Sequence, residues 1–172
     1  MNVHISVRAQ EEAEITPTMV KQGKTLFNKP ATRAIDKDLS TFSTTDTGDG
    51  AGWLKLEFDK TYFIHKVLIH YKFYTNSYLP NQWCVQNEAN FRSCVNDQNN
   101  VDVSVYQGEV KQKSCGTLEL TYGLKQSDQI YTMLCNTDGN EVKLSKTKGK
   151  IAVQEVVVTG KGTVVNRNKK IN

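Results

Sequence analysis

The sequence predicts an all-β protein, and three observations predict it. Apolar residues alternate with polar ones in at least six short runs, the period of a half-buried strand. Turn-forming dipeptides separate those runs. Helical periodicity is weak throughout. With 172 residues the chain has the length of one domain with a substantial core. Six or more short strands punctuated in this way argue for a β-sandwich.

In chain order, Glu11 to Glu14 reads at most as one helical turn. Leu54-Lys55-Leu56-Glu57-Phe58 puts its apolar side chains on one face. In the run from Val67 to Phe73, Val67, Ile69, Tyr71 and Phe73 point one way and Lys66, His70 and Lys72 the other. Val101-Asp102-Val103-Ser104-Val105-Tyr106 repeats the pattern, as do Thr117-Leu118-Glu119-Leu120 and Glu141-Val142-Lys143-Leu144. Turns are expected at Thr47-Gly48-Asp49-Gly50, Gln107-Gly108 and Thr137-Asp138-Gly139-Asn140. There is no internal repeat and no low-complexity segment.

Composition narrows the function classes. The net charge is +4, with Lys and Arg spread along the chain, too diffuse a field for nucleic acid. The one basic cluster, Arg167-Asn168-Lys169-Lys170, lies in a Gly- and Asn-rich end and reads as a tail or linker. No apolar run is long enough to cross a membrane as a helix. Met1 to Gln10 lacks the apolar core of a secretory leader, so the expectation is a trimmed mature chain with an added initiator. Catalytic motifs are missing: no Gly-x-Ser-x-Gly, no His-Glu-x-x-His, no phosphate-binding Gly loop. Asp46 and Asp49 read as a polar turn rather than an acid pair, and no base neighbours Cys84 or Cys94. The expectation is a protein that is not an enzyme.

The four cysteines are Cys84, Cys94, Cys115 and Cys135. Their spacing fits no zinc pattern. Three connectivities are open; the local one, Cys84 with Cys94 and Cys115 with Cys135, closes two short loops worth roughly 3 kcal/mol each. Disulfides imply an oxidising compartment and a secreted or cell-surface protein; the alternative is four free thiols in a cytosolic one. No Asn-x-Ser/Thr sequon occurs.

Two acidic segments far apart in sequence carry the clearest chemical signal. One is Ala34-Ile35-Asp36-Lys37-Asp38-Leu39-Ser40-Thr41; the other is the strand-like run Ile151 to Gly160. By parity Glu155 shares a face with Ile151, Val153 and Val157. A carboxylate on an apolar face is costly unless neutralised, and a cation bridging it to Asp36 and Asp38 would neutralise it. The alternative is Glu155 facing water on an edge strand.

The ordered series Lys29-Pro30-Ala31-Thr32-Arg33-Ala34-Ile35-Asp36, Trp53-Leu54-Lys55-Leu56-Glu57-Phe58, Ile64-His65-Lys66-Val67-Leu68-Ile69 and Gln154 to Gly160 resembles the discoidin-like, galactose-binding-like jelly rolls. Among these it is most similar to the fucolectin (F-type lectin) branch. The resemblance covers about residues 17–160. It leaves 1–16 as an N-terminal extension packing on the domain and 161–172 as the basic tail. It implies a jelly-roll sandwich of about eight strands, with a structural calcium site. The ligands it implies are the Asp36 and Glu155 side chains, backbone oxygens of Arg33, Asp38 and Gln154, and a further oxygen from Thr47. Oxygen-only donors suit a hard cation such as calcium. Lys37 stands where the family usually has Gly. The Cys115–Cys135 spacing resembles a disulfide common in the family, and the predicted pairing is Cys84–Cys94 with Cys115–Cys135.

The family's fucose chemistry is not carried over. Its early loop bears a His, but Thr45 to Gly52 has none; its later Arg-x-Asp is not matched by Arg92-Ser93-Cys94. His4, His65 and His70 all read as strand residues. The aromatic and amide-rich stretch from Tyr74 to Asn100 is the candidate ligand surface, with Tyr74, Tyr78, Trp83, Gln86, Asn87 and Arg92 as candidate contacts. Rings cover sugar C–H patches while amides bond hydroxyls. The same residue types suit a protein partner, and Trp83 as a buried anchor of a structural insertion is a third reading. The expected function is therefore an extracellular, calcium-stabilised lectin-like domain binding a glycan. The alternative is a protein–protein adhesion ectodomain. A membrane-lipid module, as in the related coagulation-factor C domains, ranks last, because Tyr78-Leu79-Pro80 lacks an adjacent basic residue.

Overall fold

A computed structural model describes residues 11–25, 28–45, 50–71, 100–119 and 129–162. Nine strands are described: β1 (Ala13–Glu14), β2 (Met19–Gln22), β3 (Ser43–Thr44), β4 (Trp53–Tyr71), β5 (Val101–Gln107), β6 (Val110–Leu118), β7 (Gln129–Ser145), β8 (Ala152–Val153) and β9 (Glu155–Gly162). Among the described residues one 3-10 turn is present, at Ala31–Ala34. The all-β expectation holds.

The architecture follows from two long strands that fold over. β4 and β7 pair antiparallel from Trp53↔Ser145 to Tyr71↔Gln129, with register breaks between Glu57 and Tyr62 and between Ile64 and Lys66. Before the first break β4 carries β2 on its other side; after it, β4 carries β9, which carries β1. β5 pairs only with the last part of β7, and β6 pairs with β5. Two layers result. One contains β2, the first arm of β4, the last arm of β7, β5 and β6; the other contains β1, β9 and the remaining arms. Leu54, Leu56 and Phe58 from one arm of β4 and Ile64, Val67 and Ile69 from the other belong to one core, with Val101, Val103, Val105, Val142, Leu144, Val156 and Val158. The predicted alternation thus places Leu54, Leu56, Phe58, Val67, Ile69, Tyr71, Val142 and Leu144 inside. β3 and β8 form a separate two-stranded ladder.

The structure corrects three local readings. Glu11 to Glu14 makes no helical turn: Ala13–Glu14 is extended and pairs with Gly160 and Thr159, and Ile15 enters the core. Thr137 to Asn140 is no turn but lies within β7. Gly139 is there because the backbone of β5 crosses close by; a Cβ would meet Val105 and come within 2.7 Å of the Tyr106 carbonyl. β6 begins at Val110 rather than near Thr117, because Val110 to Ser114 is an exposed stretch at the sheet edge with no apolar period to reveal it. The turn at Gln107-Gly108 is as expected, with Gly108 at φ 60°. A disulfide joins Cys115 of β6 to Cys135 of β7, linking the two layers. Cys84, Cys94 and the Thr47 turn lie outside the described residues.

Candidate functional site

The acidic turn is built on an anchored segment. Pro30, at φ −68°, leads into the 3-10 turn, and Ala31 and Ala34 are small enough to be buried in the core. The chain leaves this turn at Ile35 and bends through Lys37, which sits at φ 61°. That conformation strains a residue with a Cβ and is why Gly suits the position. Asp36 holds the bend: one carboxylate oxygen accepts from the Asp38 N–H at 2.9 Å and the other from the Thr41 hydroxyl at 2.7 Å. Asp38 in turn accepts from the Ser40 N–H and hydroxyl, which hold its carboxyl below the usual carboxylate range.

β9 closes the site from below. The chain bends at Gln154, whose N–H donates to the His70 carbonyl at 3.0 Å and whose side-chain amide donates to the Leu39 carbonyl. This bend corrects the predicted face. Val156 and Val158 are the core residues of β9, so Glu155 shares the opposite face with half-buried Val157. Glu155 is nonetheless only 5% exposed, because the turn lies over it. Its Oε2 accepts the Lys37 N–H at 3.1 Å. Burial pushes its carboxyl up to about 7, the Lys37 N–H opposes the shift, and the negative charges of Asp36 and Glu14 add to it. The Lys37 ammonium turns outward to Glu14, at 3.1 Å.

The structure thus brings Asp36 near Glu155, bonds Lys37 to Glu155 and Leu39 to Gln154, and leaves Arg33 in the 3-10 segment before the turn. Among the described residues no group of three or more acidic, His or Cys side chains forms a metal cluster, so backbone oxygens would have to complete a cation site. The donor chemistry fits a hard divalent ion: all donors are oxygens, and a buried carboxylate faces two further acids, offset in part by the N–H and the charge of Lys37. Glu14 was not legible as a neighbour, since nothing local in sequence joins it to Glu155. The roles of Ser40 and Thr41 have a local signal, the Asp-x-Ser and Asp-to-Thr spacing of side-chain-bonded turns.

The expected ligand contacts Tyr74, Tyr78, Trp83, Gln86, Asn87 and Arg92 lie outside the described residues, and so does Thr47. Their flanks are described. The register Trp53↔Ser145↔Asp102 sets the start of β4 and the start of β5 on either side of the end of β7. Tyr71 ends the second arm of β4 and pairs with Gln129. Tyr71 is buried, edge-on to Tyr131 at 5.9 Å, and its hydroxyl has no hydrogen-bond partner among the described residues.

No family model matches the sequence, and no curated protein does. Solved structures do resemble the fold. A fucose-binding module of Streptococcus pneumoniae is 15% identical over 85% of this chain and 96% of that one. The family 32 carbohydrate-binding module of C. perfringens NanJ, in complex with galactose, is 16% identical over 87% and 99%. A fucolectin from the serum of striped bass, Morone saxatilis, is 12% identical over 85% of this chain and 46% of its own. Each superimposes with a TM-score of 0.58. The chain has the galactose-binding-like sandwich of these modules, the fold the sequence resemblance implied.

Proposed function

We propose that the chain is an extracellular carbohydrate-binding domain that takes a glycan at a loop end formed by Thr47–Gly52 and Tyr74–Arg92. The observation that carries the reading is the shared sandwich, whose solved examples include modules named for fucose and galactose binding. The aromatic and amide composition of Tyr74 to Arg92 supports it. The absence from the sequence of the fucolectin His and Arg-x-Asp points to a sugar other than one read by that set. A fold alone does not name a ligand.

Calcium belongs to the same proposal. Asp36 and Glu155 would hold it with backbone oxygens of Arg33, Asp38 and Gln154, and with Thr47. Bound there, the ion supplies positive charge to a buried carboxylate and ties the early turn to the last strand. The Cys115–Cys135 disulfide supports a secreted or cell-surface location.

Saturation-transfer NMR with galactose, fucose, mannose and N-acetylglucosamine, each with and without calcium, tests the reading. Transfer to at least one sugar, lost in Trp83→Ala or Tyr78→Ala protein that remains folded, is the expected result. Transfer to none of the four, with the protein folded, counts against the reading.

A further inference from the structure

Lys37 stands where three segments meet. Its backbone N–H donates to Glu155 Oε2 at 3.1 Å, and its ammonium pairs with Glu14 at 3.1 Å. One residue of the acidic turn thus joins β9 through its amide and β1 through its charge. The β1 end of this link is anchored. Ala13 and Glu14 pair through their backbones with Gly160 and Thr159. On one side of Glu14, Ile15 is buried in the core and its N–H donates to the Val158 carbonyl at 2.8 Å. On the other side, Glu12 accepts from the Thr159 hydroxyl and pairs with Lys66 at 3.2 Å.

The Lys37 and Glu14 side chains are both exposed, and an exposed ion pair contributes little to stability. Its consequence lies at the carboxylate under the turn. Glu155 is bonded to the Lys37 amide and feels the charges of Asp36, Glu14 and Lys37. A divalent ion taken up by Asp36 and Glu155 must share that neighbourhood with the Lys37 ammonium, and like charges repel. The ammonium sits on a flexible four-carbon stem. Released from Glu14, it is free to turn back toward the carboxylate that its own amide already touches. There it would compete with the ion for Glu155. Glu14 opposes this by holding the ammonium on the β1 side and balancing its charge.

We infer that Glu14 is a positioning residue for the cation site: by holding the Lys37 ammonium toward β1, it keeps Asp36 and Glu155 open to a divalent ion. The inference rests on the calcium reading and deepens it. It brings in a third segment, the N-terminal strand, which acts through Lys37 rather than as a ligand. Lys37 is then the competitor that sets how tightly the site holds its ion.

The test is a calcium titration of the whole chain, read at the ¹H–¹⁵N signals of Lys37 and Glu155, in wild type, Glu14→Gln, Lys37→Gln and the double variant. Glu14→Gln keeps the backbone ladder of β1. It should weaken calcium binding about fivefold, the scale of one screened charge acting on a divalent ion. Lys37→Gln should tighten binding. In the Lys37→Gln background, Glu14→Gln should cost at most about twofold, because no ammonium is left to hold. That rescue separates positioning from a structural role, since loosening of β1 would weaken binding in both backgrounds. Equal losses in the two backgrounds overturn the inference and leave calcium in place, as does a Glu14→Gln affinity equal to wild type. Absence of calcium binding by all of these proteins overturns the inference together with the calcium reading. Melting curves in chelator confirm that each variant is folded.

Discussion

The backbone N–H of Lys37 donates to the side chain of Glu155 across 118 positions of sequence, at 3.1 Å. This bond joins the early turn to the last strand, the two segments that the chain must close to complete its sandwich. It also sets an electrostatic problem. The N–H and the charge of Lys37 offset only part of the cost of a buried carboxyl that has Asp36 and Glu14 close by, and the turn that supplies them puts a non-glycine residue at φ 61°.

The first prediction concerns pH. Glu155 titrates near 7 when folded, above the ordinary value of about 4.3 for an unfolded Glu. The folded state therefore binds this proton more tightly. The associated stability is fully present below about pH 4.3 and is lost as pH rises through 7. In chelator, wild-type protein should lose on the order of 1–3 kcal/mol relative to Glu155→Gln between pH 4.5 and 8, roughly the shift converted to free energy. Urea melts at several pH values measure it. Parallel stability profiles for the two proteins would show that Glu155 is not perturbed.

Calcium should reverse that slope, because its ligands must be deprotonated. At a hundredfold excess over its dissociation constant, stabilisation of ~2.7 kcal/mol corresponds to a melting temperature about 5–10 °C higher than in chelator. Asp36→Asn and Glu155→Gln should each abolish most of the rise. Equal melting temperatures for wild type in calcium and chelator would remove calcium from the account.

The disulfide between Cys115 and Cys135 ties β6 to β7 across the two layers. Cys115→Ala/Cys135→Ala should destabilise the domain by about 2–4 kcal/mol, seen in denaturant melts under non-reducing conditions. A loss below about 0.5 kcal/mol would mean that β5, β6 and β7 are held together by pairing and packing alone.

Tyr71 presents the opposite case, a buried polar atom that costs stability. Its ring is well packed, but its hydroxyl finds no partner among the described residues, and burial raises its pKa. Tyr71→Phe should stabilise by about 1 kcal/mol, the cost of desolvating an unpaired hydroxyl. Destabilisation by a similar amount would reveal a hydrogen bond to that hydroxyl.

Particular residues show what the sequence made legible. Leu54, Leu56, Phe58, Val67, Ile69, Val142 and Leu144 were readable as core because burial on one face imposes a period of two. The β6 edge at Val110 to Ser114 was not, because an exposed strand has no such constraint. Gly139 looked like a turn residue because glycine serves both turns and close backbone approach, and only the position of β5 decides between them. At the site, Asp36 and Glu155 were readable as partners through the family resemblance. The burial of Glu155 under a turn, rather than on the core face of its strand, depends on the bend at Gln154. The proximity of Glu14 to Glu155 comes from tertiary packing and leaves no local pattern.

The central claim is glycan recognition, and the most direct measurement is binding of the labelled, folded chain to a glycan array in calcium and again in chelator. The account predicts a restricted set of bound glycans, competed by the free sugar and weakened by chelator. Absence of binding above background to every glycan in both conditions, by protein with a cooperative melt, would contradict it.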